Sequence, residues 1–352
     1  MNTKTKAAVI TLLASLTAFA ENGTGLQTSI AVDIVGQAGV GGTPNSTNQL
    51  QVRGAEALFY GPIDHNFDGL MSFAAHAEGG IPSVSLHEAT VGSTKLIPRS
   101  RFRIGQYFLG FGRLNQFHQH DWPFITAPKV HQTFFAKEGV LDTGVEYTYL
   151  LPVPFFLELT GGVTNGFIFG HDHSAGARPA IPTHYLRTVT YASLPGDGGS
   201  QIGVNYVGRK ANDGTQMTLF GVDVTAKWKE ATVTQFLFQS EVWHRALSGR
   251  SSPTENSLGF YLYPQAYLGE NIFAGLRFDY FSILNQKDAF GTPLTNYEMS
   301  FIPTLTYRSS EFAQFRLAYS YSPSNVAGSS RTSHLVEAQA VILLGAHPAH
   351  DF

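Results

Sequence analysis

The chain has 352 residues, of which 43% are hydrophobic and only 14% carry a charge, and it contains no cysteine. Soluble domains usually carry about 25% charged residues. The low charge, together with 13% aromatic residues and 36 glycines, therefore favours a protein whose surroundings are partly lipid. A net charge of −3 gives no indication of a nucleic-acid partner, and the lack of cysteine excludes disulfides and thiolate metal sites.

The first twenty residues, MNTKTKAAVITLLASLTAFA, have the composition of an export signal. Lys4 and Lys6 form a charged beginning, the range Ala7–Phe19 is apolar, and the closing Ala-Phe-Ala matches a small-x-small cleavage pattern. The alternative is a membrane anchor, which would need roughly 20 apolar residues and therefore a longer run. We predict a cleaved signal peptide over 1–20.

After the signal peptide, segments of about ten residues alternate apolar and polar side chains, with Gly, Pro, Asn or Asp between them. The ranges Val222–Trp228, Asn271–Phe281 and Gln314–Tyr321 have the clearest alternation. A period of two with one apolar and one polar face indicates strands that meet water on one side only. No later stretch reaches about 18 apolar residues without a charge, so helices that span a membrane are not expected.

The alternating segments predict about sixteen β-strands, an even number, which is typical of single-chain bacterial outer-membrane barrels. We place the strands at 27–36, 49–61, 68–78, 83–93, 100–111, 141–151, 155–165, 184–194, 200–208, 214–228, 231–246, 256–268, 270–284, 297–308, 312–322 and 333–345. The predicted fold is all-β, a transmembrane antiparallel β-barrel over 21–346, followed by a short periplasmic tail over 347–352.

The connections between the predicted strands alternate in length along the chain. Those at one edge are mostly short, such as Gly61–Phe67 and Pro152–Pro154. Those at the other edge are mostly longer and polar, such as Gln37–Thr47, Gly166–Thr183 and Ser324–Thr332. Outer-membrane barrels have short turns on the periplasmic side and longer loops on the outer side, so this alternation supports the barrel.

Several aromatic residues lie near the ends of predicted strands. They are Trp228, Trp243, Tyr261, Tyr263, Tyr267 and Tyr307. Girdles of aromatic residues at the two membrane interfaces would explain these positions. The alternative is the general preference of aromatic residues for β-strands.

The longest interruption of the strand pattern is the connection Gly112–Val140, which follows the fifth predicted strand. It reads GRLNQFHQHDWPFITAPKVHQTFFAKEGV, and Pro123 and Pro128 exclude a continuous strand through it. A connection of this length in a compact fold is usually functional, the alternative being a misassigned element. We predict that it folds at or into the mouth of the barrel.

These features together resemble a Gram-negative outer-membrane porin: a signal peptide, sixteen amphipathic strands, a long connection after the fifth strand and the terminal Phe352. The stretches FGRLNQFHQHDWPF and LGAHPAHDF also look like those of uncharacterised bacterial outer-membrane proteins. The resemblance covers the mature chain, although Pro348 departs from the usual final strand. It implies an outer-membrane location in contact with lipid, a homotrimer, and passive diffusion of small hydrophilic solutes or ions through a lumen narrowed by 112–140.

Charged and polar positions then become candidates for the pore. In the long connection, the candidate constriction residues are Arg113, His118, His120, Asp121, Lys129 and His131. On the polar faces of the strands, the candidate lining residues are Arg101, Arg103, Glu146, Glu158, Asp223, Lys227, Glu241, Arg277, Asp279 and Arg316. Charged rings tune the ion preference of a pore, and the presence of both signs predicts weak selectivity. Alternatively, these residues only pair across the inner wall and solvate it.

Histidines cluster in two of the long connections. The candidate metal ligands are His118, His120, Asp121, His131, His171 and His173. Imidazole and carboxylate ligands together suit zinc, copper or nickel. A zinc-related channel or binder is therefore an alternative function, and the other interpretation is that these residues line a wet mouth.

Two further functions are alternatives to the channel. One is a surface adhesin or receptor, in which the long loops bind a partner and the barrel stays closed. The other is an enzyme, for which the sequence offers no GxSxG motif. Asp121 and His131 could form an acid–base pair, but almost any histidine-rich loop offers such a pair. We therefore expect no catalysis, and we expect no cofactor other than zinc.

Overall fold

The computed structural model describes residues 25–41, 43, 48–78, 81–167, 169–170, 177–249, 254–288, 290–326 and 328–345. The predicted signal peptide over 1–20, the tail over 347–352, and the candidate ligands His171 and His173 lie outside the described residues. Within the described ranges, no helix is long and apolar enough to cross a membrane.

The described residues form sixteen β-strands in one closed sheet. The strands are β1 Gln27–Val40, β2 Gln49–Pro62, β3 Asp68–Glu78, β4 Ile81–Ser93, β5 Ser100–Phe108, β6 Leu141–Leu150, β7 Leu157–Thr164, β8 Ile181–Leu194, β9 Gly198–Lys210, β10 Gln216–Glu230, β11 Val233–Ser248, β12 Glu255–Gly269, β13 Ile272–Ile283, β14 Tyr297–Ser310, β15 Ala313–Val326 and β16 Ser329–Gly345. Each strand pairs antiparallel with the next, and β1 pairs with β16 to close the barrel. The predicted sixteen-stranded antiparallel barrel is confirmed.

One predicted connection is wrong. The sequence predicts a long loop over Ser324–Thr332, but β15 continues to Val326 and β16 begins at Ser329, so only two residues separate the strands. The residues at these two strand ends are mostly exposed and polar. Because neither face of this hairpin end is buried, the apolar–polar alternation that marks the other strands is lost here.

The outer face of the sheet is apolar and the inner face is charged, which is the reverse of the arrangement in a soluble protein. Leu276 in β13 is 46% exposed, whereas its neighbour Arg277 is 1% exposed. The same contrast holds in β6, where Val145 is exposed and Glu146 is buried. Apolar side chains therefore point outward and charged side chains point into the barrel, which is the arrangement of membrane-spanning barrels.

Two β-bulges reverse the side-chain alternation in β2 and β4. Asp33 faces Gly54 while Ile34 faces Val52, which leaves Arg53 unpaired in the ladder. Ser72 faces Glu88 while Phe73 faces Leu86, which leaves His87 unpaired in the ladder. Because an extra residue shifts the alternation by one, His87 and Glu88 are consecutive and yet both are buried inside the barrel.

The connection from β5 to β6, residues 109–140, is folded inside the barrel, and we call it the inner segment. It contains two short 3-10 helices, Leu114–Gln116 and Gln119–Asp121, and one α-helix, α1, Lys129–Phe134. Most of its residues are buried, and α1 packs against β12, β13 and β14. The prediction of a long inserted loop after the fifth strand is confirmed.

Three of the predicted girdle aromatics have another role. Trp243, Tyr261 and Tyr263 are fully buried inside the barrel, where they contact rings of the inner segment. Their assignment to a membrane interface is wrong, because their side chains fall on the inward face of β11 and β12. Tyr307, in contrast, is 47% exposed on the outer face.

The outward apolar face leads to a prediction about lipid contact. Leu276→Arg, in β13, should destabilise the protein in a bilayer by about 2–4 kcal/mol, the cost of an arginine that faces lipid near mid-depth. Leu284→Arg is the matched control, since Leu284 is 55% exposed but lies beyond the end of β13, and it should cost about 1 kcal/mol or less. Denaturant titration in phospholipid vesicles measures both costs, and equal values would contradict lipid contact.

Candidate functional site

A buried carboxylate on β11 holds the beginning of the inner segment. Glu241 accepts hydrogen bonds from Leu114 N (2.8 Å), Trp243 Nε1 (2.9 Å) and Tyr261 OH (3.2 Å), and His131 Nε2 lies 3.4 Å from it. The close approach requires a glycine at 112, because a Cβ there would lie 2.7 Å from the Glu241 Oε2 atom. A fully buried carboxylate needs such partners to offset its lost hydration, so Glu241 anchors this part of the segment.

The middle of the inner segment reaches the opposite wall. Tyr263 OH donates to Pro123 O (3.0 Å), and the guanidinium groups of Arg53 and Arg277 donate to the carbonyl oxygens of Ile125 and Thr126. The Ile125 side chain packs in a buried cluster with side chains of β1, β14 and β15. These strands lie across the barrel from β5 and β6, so the inner segment crosses the interior.

Two cavities flank the inner segment. The loop-side cavity, of about 590 Å³, lies near the strand ends that carry the longer connections and is lined by Gln37, Gln49, Lys129, Arg277, Asp279 and Glu337, among others. The turn-side cavity, of about 270 Å³, lies near the tight turns and is lined by Arg113, Asp121, Lys227, Arg308, Gln314 and Arg316, among others. Both linings are rich in charged and amide side chains.

Many of the predicted lining charges are paired along the inner wall. Three ion pairs are Arg103–Glu146 at 2.8 Å, Arg187–Asp223 at 2.7 Å and Arg277–Asp279 at 3.0 Å. The buried members of the predicted set are Glu146, Asp223, Glu241, Arg277, Asp279 and Arg316. Arg103, Glu158 and Lys227 are half-buried, and Arg101 is exposed. Pairing across the inner wall, the alternative to a role in selectivity, therefore accounts for many of these charges.

Three of the predicted constriction residues line the two cavities. Lys129 lines the loop-side cavity and forms an ion pair with Glu298 (2.9 Å). Arg113 and Asp121 line the turn-side cavity. Burial and the neighbouring Arg187 guanidinium lower the pKa of Arg113 to about 10.

His131 is not brought together with the other histidines of the inner segment. Its ring is fully buried between Trp122 and Phe135, at centroid distances of 6.1 and 5.0 Å, and beside Glu241. It therefore belongs to the aromatic core that holds the segment in the barrel.

His118 lies between two carboxylates of the barrel wall. Its Nδ1 is 3.0 Å from Glu56 Oε2 and its Nε2 is 3.0 Å from Glu88 Oε2. Burial opposes the charge on the ring, but the two carboxylates outweigh it and raise the pKa of His118 well above its usual value. His120 stacks on His118 at a centroid distance of 5.5 Å, and His87 Nδ1 lies 3.9 Å from Glu56 Oε1.

Sequence reasoning missed the wall residues of this cluster, namely Glu56, His87 and Glu88. All three are buried inside the barrel because the bulges at Arg53 and His87 shift the alternation of β2 and β4. The available signal was the pair His87-Glu88, two consecutive polar residues that break the period of a strand otherwise alternating in polarity.

Comparison with known protein sequences shows a distant relative but does not identify a family. No protein-family model matches the chain. An uncharacterised protein of Aquifex aeolicus is 27% identical over 238 residues, which cover 61% of this chain and 50% of that protein, so the match spans about half the length of the relative.

Several solved structures of outer-membrane proteins have a similar fold. OmpT of Vibrio cholerae has a TM-score of 0.61 at 10% identity, with 91% of this chain and 99% of that chain covered. OprB of Pseudomonas putida has a TM-score of 0.63 at 9% identity, with 93% and 96% covered. An anion-selective porin of Comamonas acidovorans has a TM-score of 0.62 at 8% identity, with 91% and 99% covered. The fold is therefore that of outer-membrane porins.

The anchoring by Glu241 can be tested through stability. Glu241→Ala should destabilise the protein by about 3–5 kcal/mol, because buried donors such as Leu114 N and Trp243 Nε1 lose their acceptor. The control Glu298→Ala removes the half-exposed partner of Lys129 and should cost about 1 kcal/mol or less. Denaturant titration measures both costs, and hydrogen exchange reports whether 112–134 opens. Similar costs for the two variants would contradict the anchoring role.

Proposed function

We propose that the chain is an outer-membrane channel through which small hydrophilic solutes or ions diffuse passively, and that the inner segment narrows its lumen. The observation that carries this proposal is the course of the inner segment, which crosses the barrel between polar cavities of about 590 and 270 Å³. A barrel of sixteen strands is wide enough for an aqueous channel. Selection among solutes would then depend on the size of the remaining passage and on its charges.

The proposal places the outer face of the barrel in the lipid of the outer membrane, after removal of the signal peptide over 1–20. The exposed apolar residues Leu276, Leu305 and Leu317 support lipid contact, because each lies on the outward face of a strand. A soluble protein rarely exposes so extensive an apolar surface.

We also propose assembly as a homotrimer. OmpT of Vibrio cholerae, which has a similar fold, is described in a trimer form. On this chain, a groove in the outer face of β1 and β14–β16 combines the small residues Gly36, Ala338 and Ala340 with Phe315 and Leu317. Small residues let neighbouring elements approach closely within a membrane, so this groove is the proposed contact between barrels.

The charges of the turn-side cavity favour anions. Its basic lining residues are Arg113, Lys227, Arg308 and Arg316, and Asp121 is the acidic residue among them. Basic side chains around a pore attract anions. The loop-side cavity carries a more even mixture of both signs, so we propose a weak preference for anions.

A closed barrel that acts as an adhesin or receptor is the second candidate. The observation that favours it is the apolar contact of Ile125 with Val35, Ile302 and Ala318, which attaches the inner segment to the opposite wall. Neither candidate requires a catalytic residue. His131 and Glu241, which lie 3.4 Å apart, are both fully buried.

Conductance in planar bilayers tests the narrowing. Deletion of Asn115–Lys137 should increase single-channel conductance, because it removes the part of the inner segment that crosses the barrel. The double variant Arg53→Ala with Arg277→Ala is a milder test, since it removes the donors to Ile125 O and Thr126 O and should give larger or fluctuating conductance.

The matched control is Arg209→Ala. Arg209 donates to Gly166 O (2.8 Å) and Phe167 O (3.0 Å) in the connection between β7 and β8, so its loss should leave conductance unchanged. Unchanged conductance in both the deletion and the double variant would contradict the narrowing. Silent insertion of the wild-type protein would favour the closed adhesin or receptor.

The anion preference is tested by charge reversal. Lys227→Glu should shift the reversal potential in a KCl gradient towards cation preference, because it replaces a basic residue of the turn-side cavity by an acidic one. Lys95→Glu is the control, since Lys95 is exposed in the turn between β4 and β5. A shift of equal size in the control would argue against selectivity at the turn-side cavity.

A further inference from the structure

We propose that Glu56, His87 and His118 bind a divalent transition-metal ion of the zinc class at the inner wall of the barrel. The three residues come from β2, β4 and the inner segment, and their candidate ligand atoms all lie within 4.8 Å of one another. This inference goes beyond the channel, because the site can bind an ion whether or not the barrel conducts.

The interatomic distances suit a bound ion after small movements. Glu56 Oε2 lies 3.0 Å from His118 Nδ1, and Glu56 Oε1 lies 3.9 Å from His87 Nδ1. Zinc forms bonds of about 2.0–2.2 Å with nitrogen and oxygen in tetrahedral geometry, which places its ligand atoms about 3.3–3.6 Å apart. Because the candidate ligand atoms lie within 4.8 Å of one another, side-chain rotations that bring them about an ångström closer would complete the coordination.

The donor set selects the class of ion. Two imidazoles and one carboxylate are a common zinc-binding set with a fourth position open to water or another ligand. Calcium and magnesium prefer oxygen ligands alone, so they fit less well. His120 is a candidate for the fourth position, since its Nδ1 lies 3.9 Å from Glu56 Oε2.

The barrel wall is built to place these residues together. His87 is the extra residue of the β4 bulge, where Gln106 Nε2 donates to Leu86 O and to His87 O and satisfies both carbonyl groups. The bulge also turns Glu88 inward, and Ser72 Oγ accepts from the Glu88 backbone N–H (3.2 Å). Bulges often occur next to functional sites, where they aim a side chain.

Room for an ion is available between β2 and β4. Ala74 on β3, the strand between them, is buried and small, and it lines a cavity of about 40 Å³ together with Glu56, His87 and His118. A water molecule needs about 10–15 Å³ of such space, so the cavity can hold an ion with a water ligand. Arg53, Gln119 and Glu138 line both this cavity and the loop-side cavity, so the two cavities adjoin.

Glu88 acts as a positioning residue for His118. Its Oε2 lies 3.0 Å from His118 Nε2, on the opposite side of the ring from Glu56. When Nε2–H donates to this carboxylate, the lone pair of Nδ1 is free for the metal, which is the usual arrangement of a metal-bound histidine. Without an ion, a protonated His118 would bridge the same two carboxylates, so metal titration must distinguish the two arrangements.

Isothermal titration of the folded full-length protein in detergent with ZnCl₂ is the direct test. We expect one ion per chain with a dissociation constant in the micromolar range or tighter. Glu56→Gln, His87→Ala and His118→Ala should each weaken binding at least about tenfold, as loss of a ligand does. His65→Ala is the control, because His65 lies in the exposed turn between β2 and β3 and should leave binding unchanged.

The role of Glu88 has its own readout. Glu88→Ala should weaken zinc binding about tenfold, and Glu88→Gln should restore part of it, because the amide oxygen still accepts from His118 Nε2–H. Substitution by Co²⁺ should give the visible absorption of a four-coordinate ion with nitrogen and oxygen ligands. Circular dichroism establishes that each variant remains folded.

Two results would overturn the metal site. One is the absence of zinc binding by the folded wild-type protein, which would leave only the protonated bridge at His118. The other is undiminished binding by the combined Glu56→Gln, His87→Ala and His118→Ala variant. Zinc binding by a protein that is silent in bilayers would support the metal site and contradict the channel. Conduction without zinc binding would support the channel and contradict the metal site.

Discussion

Closure of the sheet by backbone hydrogen bonds between β1 and β16 is the constraint on which the rest of the structure depends. A closed barrel has no unpaired strand edge, so every strand is fixed between two neighbours and each side chain is committed to one face. Apolar residues such as Leu276 then face outward, and charged residues such as Arg277 face inward. The interior is consequently polar, and whatever enters it must satisfy charges and hydrogen-bonding groups.

The inner segment meets this requirement with irregular backbone. Its peptide groups are satisfied by side chains of the wall: Glu241 accepts from Leu114 N, while Arg53 and Arg277 donate to carbonyl groups at 125 and 126. Non-helical backbone at the depth of a membrane is tolerated only where protein or water surrounds it. Charged residues of the wall therefore act as a frame that holds the segment, in addition to any influence they have on ions.

Sequence reasoning recovered the parts of the fold that local pattern encodes. Alternation located all sixteen strands, and Pro123 and Pro128 marked the long connection as something other than strand. It was harder to predict on which face of the sheet an aromatic side chain lies. Trp243 and Tyr261 become core residues only through contact with a segment more than 100 positions away in the chain. The cluster at His118 was recovered only in part, since Glu56 and His87 depend on bulges whose positions the alternating pattern does not specify.

The positions of the charges in the barrel affect a solute more than the net charge of the chain does. The chain has a net charge of −3, yet the turn-side cavity is lined by four basic residues and one acidic residue. Many charges elsewhere on the wall are paired, as in Arg103–Glu146 and Arg187–Asp223, and the field of a close pair falls off faster with distance than that of a single charge. An ion inside the barrel would therefore respond mainly to the local excess at the cavity it occupies, so the electrostatic character of the passage differs from that of the chain as a whole.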